Sequence, residues 1–242
     1  MQSIKELQLK KYKVIVFDWD GTLVDSHNAY VEWDKLYLKT FYGVDKPVGY
    51  FQDLASRLKE VTIGNTENQY FRHLDMVYGD GKTPMSEVWS NIYQLAPTIQ
   101  GTIEYREYAV EILHLLKEVK GVKLAVSTNS SMKDLQFFSS DQSRIAPILV
   151  PIGFFDHIVT SDALQHTKPH PESYLKIIEN FRVDPAEVLV FEDSLRGVQS
   201  AKSAGVSVVS IGYKYAENDR DEIMKLSDFF IDTWQDLLPV LK

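Results

Sequence analysis

The chain of 242 residues is long enough for one large domain or for a core with a smaller accessory unit. Its net charge of −8 argues against a nucleic-acid or anionic-membrane partner, since both need a basic excess, and the absence of cysteine removes disulfides, thiolate metal sites and thiol nucleophiles. Met1 to Lys13 has no apolar signal-peptide core and no stretch approaches the roughly 20 apolar residues of a membrane span, so the expected location is cytoplasmic.

Along the chain, short apolar runs alternate with segments of helical period, the pattern of a parallel sheet wrapped by helices. The first run, Val14 to Phe17, ends at Asp18. Between Ser26 and about Ile103 no strand-like run occurs. Helical spacing there groups Val31, Trp33, Leu36, Tyr37 and Phe41, then Leu54, Leu58 and Val61, then Val88, Trp89, Ile92, Tyr93 and Leu95. Gly79-Asp80-Gly81 and Thr83-Pro84 read as turns, and Pro97 to Thr102 as a return linker. The expected organisation is a core of residues 1–25 and 104–242 interrupted by a helical insert, 26–103.

Past the insert, Ala109, Ile112, Leu113, Leu116 and Val119 share a helical face that stops at Gly121. Strands are expected at Leu124 to Ser127, Ile158 to Thr160, Val188 to Phe191, Val206 to Ile211 and Phe229 to Ile231. Pro171 suits a helix start before Tyr174, Ile177 and Phe181, a short helix runs from Leu195 to Ala204, and another from Trp234 toward Leu241.

Four polar segments fall at predicted strand ends, the edge at which open α/β sheets bind ligands. Asp18 and Asp20, followed by Gly21 and Thr22, place a rigidly held carboxylate two residues from a second one able to exchange protons. Ser127 to Ser131 offers hydroxyls and N–H groups for an oxyanion, although Ser130 or Ser131 also suits a helix N-cap. Lys168 precedes Pro169-His170-Pro171-Glu172 and can present a point charge to an anion; His166 and His170 read as surface residues. Glu192-Asp193-Ser194 ends an apolar run with adjacent carboxylates that are costly unless neutralised, and all-oxygen donors favour Mg²⁺ over zinc.

Together, Asp18-Trp19-Asp20-Gly21-Thr22-Leu23-Val24-Asp25-Ser26, Thr128-Asn129, Lys168-Pro169-x-Pro171-Glu172 and Phe191-Glu192-Asp193-Ser194-x-x-Gly197 resemble the four motifs of the haloacid dehalogenase superfamily, in its phosphoglycolate phosphatase-like and β-phosphoglucomutase-like branch. The resemblance runs from about Tyr12 to Gly212. It implies a doubly wound, Rossmann-like parallel-sheet core with strand order 3-2-1-4-5, and it makes the insert a helical cap. By similarity, Asp18 is the nucleophile that forms an aspartyl-phosphate and Asp20 the general acid and then base. Thr128, Asn129 and Lys168 bind the phosphoryl group, and Asp18, the Asp20 carbonyl and Asp193 hold Mg²⁺, with Glu192 a ligand either directly or through water.

The implied activity is a Mg²⁺-dependent phosphatase acting on a small phosphorylated metabolite, as a monomer or homodimer. Asp20 and the Glu192-Asp193 pair count against dehalogenation, which needs neither. A β-phosphoglucomutase-like isomerase is the alternative, but such enzymes carry histidine where Tyr30 stands. A non-catalytic binding module has no support, because every motif position holds a competent side chain. In the insert, Trp33, Tyr37, Tyr42, Phe51, Tyr70, Phe71, Trp89 and Tyr93 are candidates to line a substrate pocket, although their helical spacing favours a small core of the insert, and Arg57, Lys59, Arg72 and Lys82 are candidates for a second anionic group on the substrate. Ser139 to Gly153, with two prolines, reads as a long surface loop.

Overall fold

Six strands, Val14–Phe17 (β1), Lys123–Ser127 (β2), His157–Val159 (β3), Val188–Glu192 (β4), Ser207–Ile211 (β5) and Phe229–Ile231 (β6), form one parallel sheet in the order β3-β2-β1-β4-β5-β6. The structure is a computed structural model, and it describes residues 2–51, 53–54 and 66–241. β1 and β4 are buried at every position, which is why their sequences are unbroken apolar runs rather than alternating ones. Alternate β1 side chains serve the two faces. Val14 and Val16 join Tyr174, Ile177, Val198 and Ala201 on one side, and Phe17 stacks on Phe191 at 5.3 Å and meets Trp234 at 6.0 Å.

Parallel register places Phe17 opposite Val126 of β2 and Phe191 of β4. The residues that follow these strands, Asp18, Thr128 and Asp193, therefore reach one sheet edge from three neighbouring strands. Helices Ala109–Lys117, Glu172–Phe181 and Leu195–Ser203 occupy the crossovers where helical spacing predicts them. β6 extends the expected five-strand order by one edge strand. The Ser139 to Gly153 segment is pinned rather than loose. Ile145 and Leu149 are buried, Ser139 Oγ accepts from Ile152 N at 3.2 Å, and the Tyr105 hydroxyl donates to the Leu149 carbonyl at 3.0 Å.

The chain divides into two compact units, Met1–Asp25 with Glu104–Lys242, and Ser26–Ile103. In the first, the chain leaves and returns through a short antiparallel stem. Val24 bridges to Tyr105, Asp25 N donates to Glu104 O at 3.0 Å, and Arg106 N donates to Leu23 O at 2.8 Å.

The second unit contains helices His27–Tyr42, Thr66–Tyr78 and Met85–Gln100. Its aromatic residues pack on one another: Tyr37 meets Phe71 at 5.4 Å and Phe71 meets Trp89 at 5.5 Å, while Tyr30 stacks on Trp33 at 6.0 Å. Periodicity does not reveal the Thr66–Tyr78 helix, because its inward stripe, among the described side chains, is Phe71, Leu74 and a buried carboxylate, Asp75. One expectation is corrected here. Pro97 does not begin a linker: the helix continues to Gln100, since burial of Ile99 and Gln100 compensates the one backbone bond that proline removes in the last turns.

Asp75 accepts from Tyr42 at 3.0 Å, Thr83 Oγ1 at 2.7 Å and Arg72 at 3.1 Å. Arg72 also donates to the carbonyls of Gly81 and Thr83, so its guanidinium is engaged inside the unit. Leu58, Val61, Arg57 and Lys59 lie outside the described residues. Among the described residues no helix is long and apolar enough to cross a membrane.

Candidate active site

Asp18 follows β1 directly, and its amide donates to the Phe191 carbonyl at 3.0 Å, which continues the β1–β4 ladder by one bond. The nucleophile candidate is thus fixed by sheet hydrogen bonding rather than carried on a mobile loop. Gly21 then turns the chain with a left-handed φ of 84°, and a Cβ there would lie 2.3 Å from Asp193 Oδ2. Glycine is required on both counts.

Lys168 is the hub of the site. Its buried Nζ donates to Asp18 Oδ1 at 2.7 Å, to Glu192 Oε1 at 2.7 Å and to the Ser127 carbonyl at 2.8 Å. All three donors of the ammonium are used, so its position is fixed by three strand ends. The backbone around it is held as well. Lys168 N donates to Asn129 Oδ1 at 3.2 Å, Arg196 grips the Lys168 carbonyl at 2.6 and 3.1 Å, and the Lys168-Pro169 bond is cis.

Glu192 is saturated by protein donors. Oε1 accepts from Lys168 and from the Tyr174 hydroxyl at 3.0 Å. Oε2 accepts from the amides of Asp193 and Ser194 and from Ser194 Oγ, at 3.1 to 3.2 Å. A Cβ on Gly197 would fall 1.8 Å from Glu192 Oε1, so the first turn of the Leu195–Ser203 helix has room for the carboxylate only with glycine at this position. Asp193 turns instead toward Thr22, whose hydroxyl donates to Oδ1 at 2.8 Å.

The serines separate their tasks. Ser131 caps the Met132–Phe138 helix through a capping box with Asp134. Ser130 Oγ donates to Asp20 Oδ2 at 2.5 Å, and Ser130 N donates to Thr128 Oγ1 at 3.0 Å, which ties the second carboxylate and the strand-end hydroxyl together. Asn129 is exposed.

Carboxylate atoms of Asp18, Glu192 and Asp193 lie within 4.8 Å of one another, with a single ammonium among them. Burial, and then the neighbouring carboxylates, pushes Asp18 and Asp193 up, Asp193 to about 7, despite the opposing pull of Lys168. Burial alone would push Lys168 down, but the charges of Asp18 and Glu192 outweigh it and hold the ammonium well above the ordinary lysine value. Fully ionised, the three carboxylates carry more negative charge than one ammonium balances. Their donors are all hard oxygens. Both properties fit Mg²⁺.

Sequence reading offers Ser130 as an oxyanion or N-cap group rather than as the partner of Asp20, and it does not single out Tyr174, Arg196 or Arg106 for the site. Tyr174 looks like a core residue of helical spacing, and nothing local marks Arg106. Arg106 donates to the carbonyls of Gly21 at 2.6 Å and Gly212 at 2.7 Å and stacks over Tyr213, bracing the turn after Asp20 against the end of β5.

The carboxylate–lysine centre stands at the carboxyl edge of a parallel sheet, the edge at which open α/β folds bind ligands. The chain belongs to the haloacid dehalogenase-like hydrolase family, whose model matches residues 12–205. It is 27% identical to the phosphorylated carbohydrates phosphatase of Thermotoga maritima, over 95% of this chain and 98% of that protein. It is 25% identical to the pyrophosphatase PpaX of Bacillus cereus, over 96% of this chain and 97% of that one. The fold is also that of CbbY from Rhodobacter sphaeroides, solved in complex with phosphate, with a TM-score of 0.71, 21% identity, and coverage of 93% and 96%.

Proposed function

We propose that this protein is a Mg²⁺-dependent phosphatase that hydrolyses a small phosphorylated metabolite through an aspartyl-phosphate on Asp18. The observation that carries the reading is the Asp18–Lys168–Glu192 triad, joined by two 2.7 Å ion pairs beside Asp193. The similarity to a carbohydrate phosphatase and a pyrophosphatase supports it from outside the structure.

In the first half-reaction a carboxylate oxygen of Asp18 forms a bond to phosphorus as the ester oxygen leaves. Asp20 gives its proton to that leaving oxygen. In the second, water attacks phosphorus, Asp20 takes its proton, and the Asp18–phosphorus bond breaks to release inorganic phosphate. Lys168 orients Asp18 through one oxygen and offsets the repulsion between carboxylate and phosphoryl group. Thr128, with Asn129 beside it, meets the equatorial oxygens. Ser130 holds Asp20 in the orientation its proton transfers need.

Asp18, Asp193 and the main-chain carbonyl of Asp20 would hold Mg²⁺, with Glu192 standing behind them because both its oxygens already accept protein donors. The ion would supply charge neutralisation and polarisation of the phosphoryl oxygens. Residues 26–103 act as the cap that selects the leaving group.

A panel of phosphate esters and pyrophosphate, assayed with and without Mg²⁺, tests the reading. Asp18→Asn should abolish phosphate release, and Asp20→Asn should lower it by about 10²–10⁴-fold. Undiminished turnover in Asp18→Asn, or no turnover by the wild type on any ester, would refute it.

A further inference from the structure

The loop that presents Lys168 has a second, outward set of metal-ligating groups that phosphate-ester hydrolysis does not use. His166, His170 and Glu172 each place a ligand atom within 4.8 Å of the other two. The imidazole rings of His166 and His170 lie 4.6 Å apart, and His166 Nδ1 is 3.4 Å from Glu172 Oε2. Both histidines are exposed and the glutamate is half-buried.

We propose that His166, His170 and Glu172 form a binding site for a transition-metal dication of the zinc class, separate from the acidic Mg²⁺ centre. Two imidazoles and one carboxylate are the donor set that Zn²⁺ takes with water completing its coordination, whereas Mg²⁺ disfavours imidazole. The chemistry therefore separates the two sites by ion type.

The site is partly built before any ion arrives. Pro169 and Pro171 restrict the backbone on both sides of His170, so little freedom remains to be lost there. The Glu172 carboxylate is fixed by main-chain donors, Gln165 N to Oε1 at 3.0 Å and His166 N to Oε2 at 2.8 Å. Those hydrogen bonds, the one from Gln165 foremost, pull it down to about 2, which keeps it an anionic ligand at any physiological pH. Lys176 approaches Oε1 at 3.4 Å, leaving Oε2 as the oxygen on the imidazole side. Zn–ligand bonds of about 2.0–2.2 Å require the three groups to draw closer than their present spread, and exposed side chains accommodate this by rotation. Because positions 166, 170 and 172 flank Lys168, an ion bound there would cross-link the segment that carries it.

The test is Zn²⁺ titration of the full-length protein by calorimetry in a large excess of Mg²⁺, with Co²⁺ absorption as a spectroscopic probe. One equivalent of Zn²⁺ should bind despite Mg²⁺ and should still bind to Asp193→Asn. His166→Gln/His170→Gln should lose that equivalent and the Co²⁺ bands while its near-UV circular dichroism and urea midpoint stay unchanged. No Zn²⁺ binding by the wild type, retention in the double histidine variant, or loss in Asp193→Asn alone would each overturn the proposal. These readouts are independent of ester hydrolysis.

Discussion

Glu192 shows how a residue legible as a metal ligand in sequence acquires another task in structure. Its oxygens are occupied by Lys168, Tyr174 and the start of the Leu195–Ser203 helix, so its main effect is to hold Lys168 against Asp18. Gly197→Ala tests this without touching the reacting atoms. The added Cβ collides with the Glu192 carboxylate, so a loss of about 1–3 kcal/mol in urea denaturation and a lower kcat are expected. Arg106→Met should cost about 2 kcal/mol by the same measurement, because the Gly21 and Gly212 carbonyls lose their donors.

The charge excess of the cluster has a sign that solution experiments can read. Asp18 and Asp193 bind protons more tightly folded than unfolded. The Asp193 contribution to stability is therefore full below the unfolded value of 3.8 and is lost as pH rises through about 7. Without Mg²⁺, the wild-type Tm should fall across that window more steeply than that of Asp193→Asn. Mg²⁺ should reverse the loss, and its binding near pH 6–7 should release protons. Calorimetry in buffers of different ionisation enthalpy measures that release directly. The carboxylates themselves are visible in the sequence as an expensive pair after an apolar run. The raised proton affinity of Asp193 is not, because it comes first from burial and then from the charge of Glu192, which only the assembled sheet brings together.

At the scale of elements, the core strands were readable because burial on both faces makes them continuous apolar runs with sharp polar ends. Val14 to Phe17 and Phe229 to Ile231 coincide with β1 and β6, and the other strands shift by a residue at most. Helices that bury a broad stripe were equally plain. The Thr66–Tyr78 helix was not, since part of its inward face is the polar network of Asp75 rather than an apolar stripe. Asp75→Ala should therefore destabilise more than most single changes here, by about 3 kcal/mol, because Arg72, Tyr42 and Thr83 lose a common acceptor. Faster proteolysis within residues 66–100 would accompany it. Arg106 is hidden in the sequence for a different reason: its partners are backbone carbonyls, 85 and 106 residues away, and carbonyls leave no trace in a sequence.

The molecule as a whole is a discontinuous core whose two chain segments meet at the stem between Leu23–Asp25 and Glu104–Arg106. The Asp25 to Glu104 hydrogen bond of 3.0 Å means that a tight turn can join these positions. A variant with residues 26–103 replaced by Asn-Gly should fold, with a cooperative melt and retained Mg²⁺ binding. Its hydrolysis should become slower and less selective among esters. An unfolded product would show that the core depends on residues 26–103 for its stability.

That stem also bears on how such a protein acquires new substrates. The two strands of the stem bond to each other, so their ends stand a strand's spacing apart at the single point where the inserted segment leaves and rejoins the core. An exchange of genetic material at this one position can replace the whole inserted segment in a single event. The carboxylates of the candidate site, Asp18 before the junction and Glu192 and Asp193 after it, are inherited unchanged.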